Sequence, residues 1–289
     1  MTADPLTIDF LPPMRKPRLV IGFSGWMDGG EVSTGSVEWL AEQLAAAEFA
    51  SIDPDDFYIY NFPGSMEVTA LFRPYARIEE GLIAEFEEPA NTFYCVPEHN
   101  LLLMVGKEPN LHWRAYVQCI FNIVERLDVA RIYFVGSVGG LVTHTRDPRI
   151  MCGVSDPSLK AAMDPIGLRY SNYEGPVSIV TYLQLEAKRR RVEMVNFVAE
   201  IPAYVEGRNP RSIEAVLRLL GGFLELKLDL DELRQAGDDW EKRVTDAVDE
   251  QPELAEHVVR LEEAYDNEVF DTQMGDLKDW LHRRGVRLD

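Results

Sequence analysis

The sequence predicts an α/β fold: a mostly parallel sheet with helices on both faces, an inserted β-hairpin and a C-terminal helical lid. Three observations predict it. Arg18–Gly30, RLVIGFSGWMDGG, and Arg131–Arg146, RIYFVGSVGGLVTHTR, are β-rich apolar runs that empty into glycine and small residues. Runs of that kind read as buried parallel strands entering loops at their carboxyl ends. Strand-like and helix-like patterns alternate along the chain, as in a sheet covered on both faces. Past Leu230 the strand signal stops and only helical stripes remain.

Taken in order, Leu19 to Phe23 is the first strand. Val37, Leu40, Leu44 and Ala47 recur at helical spacing, so an amphipathic helix starts near Glu31. Asp53–Asp56 breaks the pattern, and Phe57–Tyr60, FYIY, reads as a second strand. About 66–96 reads as an extended ribbon, a β-hairpin with its turn at Gly81. Leu101–Val105 is the next strand; Tyr116, Val117, Ile120, Val124 and Leu127 mark the helix after it, and Arg131–Val135 follows as a strand. Val177–Val180 and Val192–Val198 are two further strands around a helix at Leu183–Arg190. Asn209 or Ser212 caps a helix that buries Ile213, Val216, Leu217 and Leu220. Three helical stripes close the chain: Trp240, Val244 and Val248; Leu254, Val258, Leu261 and Tyr265; and Met274, Leu277 and Leu281. Their apolar faces are too thin to fold alone. The expected division is therefore an α/β core at 1–228 and a helical lid at 229–289 packed on it.

Composition excludes several classes of function. A formal charge of -20 over 289 residues repels phosphate backbones and anionic lipid, so nucleic acid and membrane are not expected partners. The excess concentrates after Leu224, where 20 acidic residues face 9 basic ones, the pattern of a solvated helical surface. Apolar runs are far shorter than the ~18 residues of a membrane span. MTADPLTIDFLPP lacks the basic start and apolar core of a secretory signal. Cys95, Cys119 and Cys152 are odd in number and widely spaced, which suits a reducing compartment and neither a disulfide framework nor a CxxC metal site. The expected location is the cytoplasm, and no cofactor or metal is expected.

Ligands of open α/β sheets bind beyond the carboxyl ends of strands, so the two glycine-rich exits define the candidate site. GFSGWMDGGE offers Ser24, Gly25, Trp26, Asp28, Gly29 and Gly30. Backbone N–H groups and the following helix N-terminus suit an anionic or polar group, and Trp26 suits an apolar portion. The competing reading is a tight strand-to-helix turn with Asp28 capping the helix; both stay open. GSVGGLVTHTRDP offers Gly136, Gly139, Gly140, His144 and Arg146. The Arg146 fork can grip carboxylate or phosphate in two places, or it can pair with Asp147 or Glu31 and fix the loop. Tyr204 ends a strand on the same edge. The first exit is neither G-x-G-x-x-G nor a P-loop, and residues 22–26 miss G-x-S-x-G because the second glycine arrives one place early. A Ser24–His144–Asp28 triad can be written, but spacing does not assemble it. Catalytic residues stay unassigned.

FSGWMDGGEVSTGS, GSVGGLVTHTR and IPAYVEGRNPRS (Ile201–Ser212) together resemble the proteasome-assembly-chaperone-2 family in its prokaryotic, actinobacterial-type branch, and the resemblance runs through most of the chain. It implies a core of the phosphorylase/hydrolase-like kind, related to purine nucleoside phosphorylases. It also implies a hairpin used in trimer assembly and a helical lid over a ligand cleft. The function implied is non-catalytic: assembly or interaction with a protein partner, or ligand binding under the lid. The alternative is an enzyme of nucleoside-phosphorylase or hydrolase-like fold acting on a small polar metabolite, since fold alone does not carry activity. Relatives dock on the proteasome α-ring through a C-terminal hydrophobic–tyrosine–any-residue tail. Val286–Asp289, VRLD, has no penultimate tyrosine, which argues against direct docking. A homo-oligomer, with a trimer favoured, is expected to cover the ribbon carrying Phe72, Tyr75, Ile78, Leu82 and Phe86.

Overall fold

Four parallel strands form the centre of a nine-stranded sheet in the computed structural model, which describes residues 4–70 and 72–283, with side chains to Phe270. They are β2 (Arg18–Ser24), β7 (Leu101–Lys107), β8 (Arg131–Gly140) and β11 (Glu193–Pro202), placed in the order β7-β2-β8-β11. Outside β7 lie β6 (Thr92–Val96), β3 (Ala47–Ile52) and β1 (Leu6–Ile8), each antiparallel to its inner neighbour. Outside β11 lie β9 (Ile150–Val154), antiparallel to it, and the two-residue β10 (Arg169–Tyr170), parallel to β9.

Both faces of the central strands are apolar, and each is covered by a pair of helices. Leu19, Ile21 and Phe23 of β2 pack with Tyr116, Ile120 and Val124 of α3 (Trp113–Arg126) and with Ile179, Leu183 and Ala187 of α5 (Ile179–Arg190). Val20 points the other way, toward Val37 and Leu40 of α1 (Val32–Gln43) and Ile213, Leu217 and Leu220 of α6 (Pro210–Leu224). The period of two along β2 thus feeds both layers. Gly22 is required on the α1 side: an added Cβ would lie 2.5 Å from the Ser33 carbonyl oxygen. The C-terminal helices α7 (Asp231–Asp249) and α8 (Pro252–Arg283) follow, with Leu233, Trp240, Val248, Val258 and Leu261 buried.

Several elements differ from the sequence expectation. Phe57–Tyr60 is not a strand: Phe57 packs edge-on to Tyr116 at 5.3 Å, and the Tyr58 hydroxyl lies 2.8 Å from Asn91 Oδ1 and 2.7 Å from the Lys107 carbonyl. The strand of that region is β3, which begins where the helix was expected to continue; α1 stops at Gln43 and Ala45 turns at φ 46°. Val177–Val180 is not a strand either. Ser178 caps α5 by accepting from the Val180 N–H, so Ile179 and Val180 open the helix and face the core. The ribbon is shorter than 66–96. Met66–Ala70 is a short helix (α2), the hairpin is β4 (Tyr75–Glu79) with β5 (Leu82–Glu87), and Thr92–Val96 belongs to the main sheet. The turn falls at Glu80-Gly81, both at positive φ, the two-residue geometry that matches strand twist. Met274, Leu277 and Leu281 continue α8 rather than starting a third helix, and their side chains lie outside the described residues.

Candidate functional site

β2 and β8 are adjacent, so the two glycine-rich exits do meet at one end of the sheet. They meet through hydrogen bonds to each other. β2 turns away after Ser24, whose carbonyl accepts from the Glu108 N–H, with Gly25 at φ 124°. Residues 25–28 bulge outward and rejoin β8 alongside it, Asp28 pairing in parallel with Ser137. Ser137 N–H donates to the Met27 carbonyl at 2.9 Å, and the Ser137 hydroxyl donates to the Gly29 carbonyl at 2.6 Å. The Glu108 carboxylate ties this turn to the other face: Oε2 accepts from the Trp26 N–H and Oε1 from the Ile179 N–H. Trp26 itself is 68% exposed.

Asp28 closes the turn as a helix cap. Its carboxylate accepts from the Ser33 N–H (2.8 Å), the Thr34 N–H (3.0 Å) and the Thr34 hydroxyl (2.7 Å). Burial outweighs these donors and pushes its carboxyl up to about 6. Ser33 adds a second tie, its hydroxyl donating to the Val135 carbonyl and accepting from the Phe23 N–H. Gly29 and Gly30 are pressed against α6 and β11. A Cβ on Gly29 would lie 2.7 Å from Ile201 Cδ1, and one on Gly30, at φ 65°, would lie 2.8 Å from Asn209 Cβ. Small residues here serve close packing.

Gly136, Gly139 and Gly140 were expected to form a loop. They instead continue β8, in register with Val198, Ile201 and Pro202 of β11. The loop begins at Leu141, and its polar side chains reach the C-terminal helices. His144, 2% exposed, lies with Nδ1 2.8 Å from the Tyr204 hydroxyl and Nε2 3.1 Å from the Thr245 hydroxyl on α7. Desolvation holds its imidazolium below the usual histidine range. Thr145 donates to Glu262 on α8. Arg146 binds Asp266 through two parallel bonds of 2.8 Å and lies 3.4 Å from Glu262. Its partners are thus neither Asp147 nor Glu31, which lie against Arg211 (3.6 Å) and Arg208 (3.5 Å) respectively.

The structure therefore brings Ser24, Gly25, Trp26, Asp28, Gly29, Gly30, Gly136, Gly139, Gly140, His144 and Arg146 to one end of the sheet, but as two differently used sets. The first set builds a turn and a cap; the second, from His144 on, fastens helices. Asp28 bonds Ser33 and Thr34 while His144 bonds Tyr204 and Thr245, so Ser24, His144 and Asp28 form no relay. Among the described residues no group of three or more His, Cys, Asp or Glu is placed to hold a metal ion. No helix among them is long and apolar enough to cross a membrane. Sequence reasoning missed Ser33, Thr34, Glu108, Glu262 and Asp266. Only the first two left a local signal, as donors to an Asp cap on the following helix.

The sequence matches the PAC2 family over residues 22–248, which takes in both strand exits, α1, α3, α5, α6 and all but the last residue of α7. The chain belongs to the PAC2 family. A proteasome-assembly chaperone homologue from Mycobacterium tuberculosis is 28% identical, with a TM-score of 0.72 over 83% of this chain and 99% of its own. A PAC2 family protein from Streptomyces avermitilis is 27% identical, with a TM-score of 0.71 over 84% and 99%. A second Mycobacterium tuberculosis protein, of unknown function, shares the fold at a TM-score of 0.82 over 96% and 94%, at 22% identity. No curated protein matches this PAC2 chain by sequence.

Proposed function

We propose that the chain is a non-catalytic assembly or interaction protein of the proteasome-assembly-chaperone type, acting in the cytoplasm as a homotrimer. One observation carries this reading: the polar groups at the end of β8 hold the chain's own α7 and α8. His144 has both ring nitrogens within hydrogen-bond reach of protein hydroxyls, and Arg146 has a carboxylate on its fork. A site that converted a metabolite would present such groups to an open cleft beside a nucleophile or base. What the chain presents outward is apolar ribbon. On the hairpin Tyr75, Ile78, Leu82, Ile83 and Phe86 are all more than half exposed, and an exposed two-stranded ribbon is stable only against a partner. The family and the chaperone homologue from Mycobacterium tuberculosis support the class of partner.

The test mixes the purified chain with purified proteasome α-subunits from its own organism and follows complexes by native mass spectrometry. The reading predicts faster assembly of α-rings, which needs no lasting complex and so no docking tail. Unchanged α-subunit assembly, together with turnover of a nucleoside or similar metabolite by the chain alone, would overturn it in favour of the enzyme.

A further inference from the structure

The attachment of α8 changes character along its length. Val258 and Leu261 are buried, and beyond them no described side chain of the helix is. From Glu262 onward α8 is held by charge. Glu262 and Asp266 bind Thr145 and Arg146; Glu268 lies 2.6 Å from Arg149 and also meets Arg169; Tyr265 lies under the Arg149 guanidinium at 4.4 Å and donates from its hydroxyl to the Asp147 carbonyl. Three arginines of the body thus line one surface, on a chain whose formal charge is -20. That surface is matched to an acidic helix with the pattern Glu-x-x-Tyr-Asp-x-Glu, and α8 supplies it in cis.

We infer that the Arg146–Arg149–Arg169 surface is a docking site for an acidic helix of a partner protein, kept shut by α8 as an internal mimic of that helix. Charge complementarity identifies the partner: in an acidic molecule, a surface that pairs three arginines with carboxylates spaced along one helix face selects another acidic helix. The means of opening is also present. Asp266 and Glu268 are each about half exposed, so these pairs are weakened as salt rises, and the distal part of α8 can leave without the core being disturbed. The inference rests on the interaction reading above and adds the chemistry of a partner for it. It needs neither a proteasome subunit nor the trimer for its test.

The probe is a fluorescent peptide of residues 255–270, AEHVVRLEEAYDNEVF, titrated against the full chain by anisotropy. The latch is opened in cis by Glu262→Gln, Asp266→Asn and Glu268→Gln together. This variant should bind the peptide about tenfold more tightly than the parent, the change expected when several exposed ion pairs cease to compete. Binding should fall between about 50 and 500 mM salt, and should vanish when Arg146→Met and Arg149→Met are added. Equal binding by parent and opened variant, binding that survives loss of both arginines, or a swapped dimer without peptide capture would overturn the inference. Hydrogen exchange gives a second measurement on the unaltered protein. Amides of residues 262–270 should exchange faster as salt rises while those of α7 do not, and protection of 262–270 equal to α7 at every salt concentration would likewise overturn it. If α-subunits fail to bind but the peptide results hold, the docking surface stands and only the proteasome reading falls.

Discussion

Asp28 and His144 follow the neighbouring strands β2 and β8, and burial moves their titrations in ways that have opposite consequences. Asp28 is pushed up to about 6 from 3.8, so the folded chain takes up its proton before the unfolded chain does. Its contribution therefore rises as pH falls from about 6 toward 3.8. His144 is pushed below its ordinary value by burial, with Arg211 acting the same way and Glu262 and Asp249 opposing it. The unfolded chain then holds that proton more tightly. Stability from His144 is full above roughly pH 6.5 and is lost as pH falls from there toward its lower folded value. Two variants separate the effects. Asp28→Ala removes three accepted hydrogen bonds and should cost about 1–2 kcal/mol in urea unfolding at pH 7, a cost near zero marking the cap as dispensable. His144→Gln should flatten the loss of thermal stability between about pH 7 and 5; an unchanged acid slope would place the sensitivity elsewhere. At this scale the sequence was half informative. The capping role of Asp28 was legible because an Asp before a helix has a short-range partner. The roles of His144 and Arg146 were not, because Thr245, Glu262 and Asp266 lie about 100 residues on.

Elements were legible where burial on both faces made them uniformly apolar. β2, β7, β8 and β11 are such runs, and each appears in the sheet where a parallel strand was expected. The misreadings share a cause: a short β-branched or aromatic run looks the same in a strand, a helix start or a buried turn. FYIY is an aromatic plug under α3, and Val177–Val180 contains a serine cap that the valines and isoleucine mask. The flanking antiparallel strands β3 and β9 are too short to stand out. Glycine misled in the other direction, since Gly136, Gly139 and Gly140 serve a strand. The hairpin was legible from its turn and its alternation, and it carries the prediction that belongs here. Deleting Tyr75–Phe86 should leave the core folded, because every residue of β4 and β5 is exposed, and should reduce the proposed trimer to monomers by light scattering. A deletion variant that keeps its mass would remove the hairpin from the interface.

For the molecule as a whole, the polar groups at one end of the sheet bond to the chain's own turn and C-terminal helices, while every residue of the hairpin strands is exposed. The α/β core positions two glycine-rich exits side by side, as a ligand-binding sheet would. The turn after β2 pairs back alongside β8 at Ser137, and α7 and α8 engage the loop that follows β8. The α/β core is thereby consistent with the proposed interaction protein, whose proposed surfaces are the hairpin, for its own copies, and the arginines under α8, for acidic partners. The most direct test is native mass spectrometry of the purified 289-residue chain at neutral pH. The account predicts three 32.9 kDa chains with no added mass on any of them. A small molecule retained on each chain, and lost when His144 or Arg146 is replaced, would contradict it and return the strand exits to the role of a ligand site.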